Sequence, residues 1–239
     1  MKAMILAAGR GERMKPLTDN CPKPLLKVNG VALIEHHIKK LAQLGIKDVI
    51  INHAWLGGMI EDYLKDGSQW QVNITYSAEN PALETAGGII NALPLLGDKP
   101  FLLINSDVFT TFDFTYLPIL PADKLAHLWL VKNPEHNISG DFCIDEGLLQ
   151  NKPSKTEVGQ KQQSYTYSGM AIFKPEFFQQ GSIQQEITAS LENTSVLPLA
   201  PMLRAAAQHG EITASVLPYA WTDVGTPKRL AQLNSTHKI

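Results

Sequence analysis

The chain has 239 residues, 44% of them hydrophobic, enough for an α/β domain with a sizeable core. A formal net charge of −2 gives no general attraction to nucleic acid or to an anionic membrane, so an anionic ligand must meet a local cationic cluster. Two cysteines without metal-type or disulfide-framework spacing, no long apolar segment and no signal-like N-terminus together predict a cytoplasmic protein.

Met4 to Ala8 is a continuous apolar run ending at Gly9-Arg10-Gly11, the pattern of a strand covered on both faces. A polar loop with Pro16, Pro22 and Pro24 follows. Leu33, Ile34, His37, Ile38, Leu41 and Leu44 then recur at helical spacing, with Gly45 as a stop. Asp48 to His53 predicts a second strand, Trp55 to Leu64 a helix, and alternating Val72, Ile74 and Tyr76 a third strand. Glu84 to Leu93 predicts a helix and Phe101 to Asn105 a fourth strand.

This β-α-β-α-β-α-β series predicts a Rossmann-like α/β fold with a mostly parallel central sheet in the order 3-2-1-4. In such a sheet the loop after strand one and the acid after strand four, Asp107, face each other at the switch point. Beyond it, strands are expected at Leu125–Val131, Asp141–Ile144, Tyr165–Phe173 and Ile212–Val216. Helices are expected at Pro175–Gln180, Pro201–Gln208 and Pro227–Leu233, and the polar stretch Asn151–Ser164 reads as an exposed loop.

Gly9 and Gly11 let backbone N–H groups approach a phosphate, and Arg13, Lys15 and Lys23 supply charge for a polyphosphate. Two familiar phosphate motifs are excluded. The Gly-x4-Gly-Lys-Ser/Thr pattern is absent. The third glycine of the dinucleotide fingerprint is replaced by Met14, and Pro16 interrupts any immediate helix. The seven histidines show no zinc-type spacing.

Leu6-Ala7-Ala8-Gly9-Arg10-Gly11-Glu12-Arg13, then Pro16-Leu17-Thr18, Pro22-Lys23-Pro24-Leu25 and, near the end, Trp221-Thr222-Asp223-Val224-Gly225-Thr226, resemble the signature of the sugar-1-phosphate nucleotidyltransferases. The resemblance implies a single domain over 1–239, with a nucleotide-binding half at 1–110 and a sugar-binding half with a small elaboration at 111–239. It implies joining of a nucleoside triphosphate to a sugar 1-phosphate with release of pyrophosphate and Mg²⁺ as cofactor. Asn52-His53-Ala54-Trp55-Leu56, Leu83-Glu84-Thr85-Ala86-Gly87-Gly88 and Gly140-Asp141-Phe142 narrow it to bacterial uridylyltransferases, with UTP as donor and N-acetylmuramate α-1-phosphate as acceptor.

Residue by residue, Arg13, Lys23 and Asp107 are implied in catalysis, and Asp107 and Asp223 in holding Mg²⁺. Ala8, Gly9, Gly11, Glu12, Arg13, Lys23, Glu79, Asn80, Thr85 and Gly88 are implied at the nucleotide. Backbone groups near Gly88 are expected to serve the base. Gly140, Asp141, Ser168 and Gly169 are implied at the sugar. Two positions depart from the pattern: Glu12 replaces a common Thr or Ser and is expected to face a ribose hydroxyl or Arg13, and Ser106 replaces a Gly before Asp107. Other sugar 1-phosphates, or a non-catalytic nucleotide-sugar-binding subunit, are the competing readings. Retention of Arg13, Lys23, Asp107 and Asp223 favours catalysis.

Overall fold

A computed structural model describes residues 1–115, 117–152, 162–179 and 196–236. In chain order the strands are β1 (Lys2–Leu6), β2 (Lys27–Val28), β3 (Val31–Ala32), β4 (Asp48–His53), β5 (Asn73–Ala78), β6 (Phe101–Asn105), β7 (Val108–Thr110), β8 (Ala126–Val131), β9 (Phe142–Asp145), β10 (Leu148–Asn151), β11 (Ser164–Phe173), β12 (Ile212–Val216) and β13 (Trp221–Asp223). The helices are α1 (Leu33–Gln43), α2 (Gly57–Leu64), α3 (Glu84–Leu96), α4 (Leu199–Gln208) and α5 (Pro227–Thr236).

Nine strands form one sheet in the order β5-β4-β1-β6-β11-β8-β12-β10-β9. Its first four strands are parallel and reproduce the expected 3-2-1-4 order. The second half is mixed rather than parallel. β11 runs antiparallel to β6 and β8, β12 returns parallel to β8, and β9 and β10 form a hairpin. The expectation of a mostly parallel sheet therefore holds for the first half only; in the second, short connections such as the turn between β9 and β10 give antiparallel neighbours, and the sheet as a whole is mixed. The region around Pro175 forms only a 3-10 turn, Pro175–Phe178. Most of the stretch expected as a loop at 151–164 lies outside the described residues.

Period-two alternation splits the core across the sheet. Met4, Ile50, Leu103, Leu128 and Ala171 pack on one face against α3 and α4. Ala3, Ile5, Ile51, Ile104 and Trp129 pack on the other against α1 and α2. A third, smaller cluster joins Met14, Leu26, Val28 and Leu33 to Val224 and Leu233. Met14 stands where a dinucleotide site needs glycine because it anchors this cluster, tying the loop after β1 to the last strand.

Two buried histidines are held neutral. His37 donates from Nε2 to the Val108 carbonyl (2.7 Å), and burial lowers its pKa to about 3. His127 bridges Thr213 Oγ1 (2.9 Å) and Ser215 Oγ (3.0 Å), and burial lowers its pKa to about 4. Above pH 6.5 both are neutral in folded and unfolded chains alike. Below it the unfolded chain takes up protons that the fold refuses until about pH 4 and pH 3, so stability falls with pH across that window. Each contributes a slope of up to about 1.4 kcal/mol per pH unit. His127→Gln is expected to shed its share of this acid slope in urea titrations at stepped pH; an unchanged slope would contradict it.

Candidate active site

The carboxyl ends of the parallel strands form the floor of a cleft of about 1000 Å³. Leu6 stands level with Asn52 on one side and Asn105 on the other, and His53 with Ala78; all five line the cleft. This is the edge where the strand order reverses, so it is where an open α/β sheet leaves room for a ligand. Ala8, Gly9, Gly11, Lys23, Glu79, Asn80, Thr85 and Asp107 line the same cleft.

The loop after β1 owes its shape to glycine. Gly11 has φ +69°, and a Cβ there would lie 3.1 Å from Thr18 Cγ2 and 3.3 Å from Lys23 Cβ. Its carbonyl accepts from Met14 N (2.8 Å) and Thr18 Oγ1 (2.9 Å), closing a 3-10 turn over Glu12–Met14. At Gly9 a Cβ would meet nothing within 4 Å, so its backbone is open to a ligand.

Glu12 faces neither the cleft nor Arg13. Its exposed carboxylate pairs with Arg10 (2.8 Å) and Lys15 (2.7 Å), and the hydrogen bond from Lys15 holds its pKa below the usual value. The two adjacent cations explain the departure: Glu12 offsets their charge on an exposed turn, and Lys15, expected to supply charge for a polyphosphate, is paired with Glu12 and lies outside the cleft lining. Arg10 meanwhile lies over the Trp55 ring at 4.4 Å, and Trp55 Nε1 donates to the Thr18 carbonyl at the cleft rim (3.1 Å).

Buried Asn52 and Glu79 form the cleft's hydrogen-bonded frame. Asn52 Oδ1 accepts from Ala7 N (2.9 Å), Asn52 Nδ2 donates to Glu79 Oε1 (2.7 Å), and Glu79 Oε2 accepts from Leu83 N (2.9 Å). Gly88 lies behind this frame, outside the cleft lining. The N–H groups of Ala86 and Gly87 are taken by the Leu197 carbonyl (2.9 and 3.1 Å). Gly9, Asn80 and Thr85, which do line the cleft, carry N–H or O–H groups of their own.

Lys23, in a 3-10 turn, places Nζ 2.5 Å from Asp107 Oδ2. Asp107 sits in the tight turn between β6 and β7. β7 pairs with β13, setting Val108 opposite Asp223, and Val224 N donates to the Asp107 carbonyl (2.7 Å). Residues 116 positions apart in sequence thus present two carboxylates side by side. Asp223 Oδ2 lies 3.1 Å from Arg229 Nη2, and Oδ1 lies 3.1 Å from His136 Nε2. Oδ1 is buried, and the His136 contact lacks hydrogen-bond alignment. Burial raises the Asp223 pKa, against the lowering effect of Arg229 and His136, and Asp107 adds to the rise.

Arg13 joins this group rather than lining the cleft. A Cβ on Gly225 would lie 2.1 Å from Arg229 Nη2, 3.2 Å from Asp223 Oδ2 and 3.3 Å from Arg13 Nη2; glycine is what lets them meet. Neither Arg229 nor His136 was singled out in the sequence. A signal for Arg229 exists: a cation in the first turn of a helix opposes the macrodipole and needs a nearby anion.

The residues present fit a divalent cation. Two carboxylates lie together, one with a buried oxygen lacking an aligned donor, and no group of three or more His, Cys, Asp or Glu positioned for a metal occurs among the described residues. A hard cation that shares its shell with phosphate and water suits such a donor set.

The expected sugar-side residues lie across β11. Ser168 is fully buried, and its carbonyl accepts from Trp221 Nε1 (2.8 Å). Gly169, at φ +77°, lies where a Cβ would come within 2.7 Å of Asn105 Nδ2. Asp141 accepts from Asn137 Nδ2 (3.0 Å) and Tyr167 N (2.9 Å). None of Gly140, Asp141, Ser168 and Gly169 lines the cleft.

Residues 2–238 match the family model described as Nucleotidyl transferase. The chain belongs to the nucleotidyl transferase family. It is 49% identical over 238 residues to the N-acetylmuramate alpha-1-phosphate uridylyltransferase of Neisseria meningitidis serogroup B, covering 97% of this chain and 96% of that one. It is 30% identical to the protein of the same name from Caulobacter vibrioides, covering 95% and 92%. A Bacillus anthracis crystal structure in complex with sucrose superposes with a TM-score of 0.80 at 24% identity, covering 99% of this chain and 94% of that one, and shares the fold. Among the described residues of this nucleotidyl transferase, no helix is long and apolar enough to cross a membrane.

Gly88→Ala would drive a Cβ to 2.5 Å from Glu79 Oε1 and 2.7 Å from Asn52 Nδ2. Overpacking of this kind costs about 1–3 kcal/mol. Chemical denaturation should show a lower midpoint and calorimetry weaker UTP binding; wild-type values for both would remove the Asn52–Glu79 frame from the nucleotide site.

Proposed function

We propose that this nucleotidyl transferase moves a uridylyl group from UTP to N-acetylmuramate α-1-phosphate, forming UDP-N-acetylmuramate and pyrophosphate with Mg²⁺ as cofactor. The observation that carries the reading is the convergence of Lys23, Asp107, Asp223 and Arg13 beside a cleft at the carboxyl ends of the sheet. The near full-length similarity to N-acetylmuramate alpha-1-phosphate uridylyltransferase supports the donor and acceptor. The sequence resemblance adds a cytoplasmic role in peptidoglycan recycling.

An oxygen of the acceptor phosphate attacks the α-phosphorus, and the bond from that phosphorus to the bridging oxygen of the leaving pyrophosphate breaks. The nucleophile is already an anion, since the second pKa of a phosphate monoester is near ~6. No general base is needed, and the task is to bring two anions together. Lys23, released from Asp107 as phosphates enter, neutralises the α-phosphate. Arg13 stabilises charge on the departing pyrophosphate, and Gly9 and Gly11 offer backbone N–H groups along the chain of phosphates. Asp107 and Asp223 would hold the cation, which supplies charge neutralisation between the two substrates.

Pyrophosphate release across a grid of triphosphates and sugar 1-phosphates, with and without Mg²⁺, tests the assignment. UTP with N-acetylmuramate α-1-phosphate should have the highest kcat/KM, and preference for another pair would reassign the substrates. Asp107→Asn should abolish metal-dependent turnover while keeping the wild-type melting temperature; full activity would exclude Asp107 from the mechanism. Lys23→Ala should lower kcat at least about tenfold, equivalent to roughly 1.4 kcal/mol of barrier, and an effect confined to KM would leave Lys23 a binding role only.

A further inference from the structure

The turn between β8 and β9 brings one side chain from the second half of the chain to the paired aspartates. It contains the 3-10 segment Glu135–Asn137, which has no buried residue, yet it is tightly braced. Asn137 Nδ2 donates to Asp141 Oδ1 (3.0 Å) and Thr166 Oγ1 (3.1 Å), and Gly140 N donates to the Asn137 carbonyl (3.0 Å). Asn133 Nδ2 donates to Ser164 Oγ (3.0 Å). Gly140, at φ +62°, leaves room for Asn133, whose Oδ1 would lie 2.6 Å from a Cβ there. Asp141 spends both carboxylate oxygens on Asn137 and Tyr167. Gly140 and Asp141 therefore support this turn, and the side chain it sends toward the reacting groups is His136.

His136 places Nε2 3.1 Å from Asp223 Oδ1, with its side chain 38% exposed. The contact is close but misaligned, because that oxygen has no hydrogen-bond partner. His136 thus holds a donor beside the reaction centre without committing it. No residue of this turn is among those that line the cleft. His136 therefore reaches the paired carboxylates from the second half of the chain, the half expected to hold the acceptor, and from outside the cleft lining.

We propose that His136 is an acceptor-recognition residue whose Nε2–H donates to an anionic oxygen of the sugar phosphate. The assignment rests on the nucleotidyl-transfer reading above. The oxygen belongs either to the acceptor's phosphate or to the carboxylate that distinguishes N-acetylmuramate from N-acetylglucosamine, and an imidazole N–H serves both.

The test is steady-state kinetics of His136→Ala and His136→Gln, with N-acetylmuramate 1-phosphate and N-acetylglucosamine 1-phosphate each tried as substrate or competitive inhibitor. Losing a hydrogen bond to a charged group should raise the alanine variant's acceptor KM about tenfold or more. UTP KM and the Mg²⁺ half-saturation should stay at wild-type values, and glutamine, which retains an N–H donor, should recover most of the loss. An equal rise for both sugars assigns the oxygen to the phosphate; a rise confined to the muramate sugar assigns it to the carboxylate. An unchanged acceptor KM overturns the proposal, as does a rise in UTP KM or Mg²⁺ requirement, which would make His136 a support for Asp223. If the wild-type grid selects a different acceptor, the same variants are measured with that one, so the substrate reading and the role of His136 fail separately.

Discussion

Everything at this site depends on how Asp107 is fixed. Its side chain is gripped by Lys23 and its backbone carbonyl by Val224 N, so one residue joins the loop after β1 to the last strand. Three behind-the-scenes contacts hold the segment that follows it. His37 donates to the Val108 carbonyl, and Lys40 to the carbonyls of Thr110 and Phe112. Burial lowers the Lys40 pKa to about 8, the cost of placing an ammonium against backbone oxygens rather than in water. Helix α1 thereby sets β7, β7 sets β13, and β13 delivers Asp223.

Charge at the centre is arranged around substrates rather than for the empty fold. Two carboxylates share the site with Arg13, Lys23, Arg229 and His136. Arg229 has Nε and Nη2 buried without hydrogen-bond partners, and Asp223 Oδ1 is in the same condition. Unsatisfied buried polar atoms cost about 1–3 kcal/mol each in an ordinary core. Their concentration beside the cleft fits the proposed task of receiving anions and a cation.

Much of the first half could be read from sequence because parallel strands covered on both faces appear as unbroken apolar runs, and Met4–Ala8, Val49–Ile51 and Phe101–Ile104 are such runs. The strand order is the common one for such a winding. The ladders β2–β3 and β7–β13 were not legible, since two or three residues carry no period. Yet β7–β13 is what sets Asp223 beside Asp107. The motif residues around Gly9 and Asp107 were visible as local strings. Arg229, His136 and the Arg10–Trp55 stack were not, because their importance lies in contacts between distant segments. Glu12 was misread for a different reason: its partners Arg10 and Lys15 lie close by, but the turn geometry that aims them at it is not encoded in a spacing rule.

The Leu197 carbonyl closes the start of α3, taking the N–H groups of Ala86 and Gly87, while its own N–H returns to the Leu83 carbonyl. A helix of the first half is therefore capped by chain contributed more than a hundred positions later. Severed from that later segment, the early strands would expose bare amides at the head of α3, along with the open edge of β6 that β11 covers. The two halves are therefore one folding unit, in which helix α3 keeps its cap and strand β6 its covered edge only while the later chain is in place.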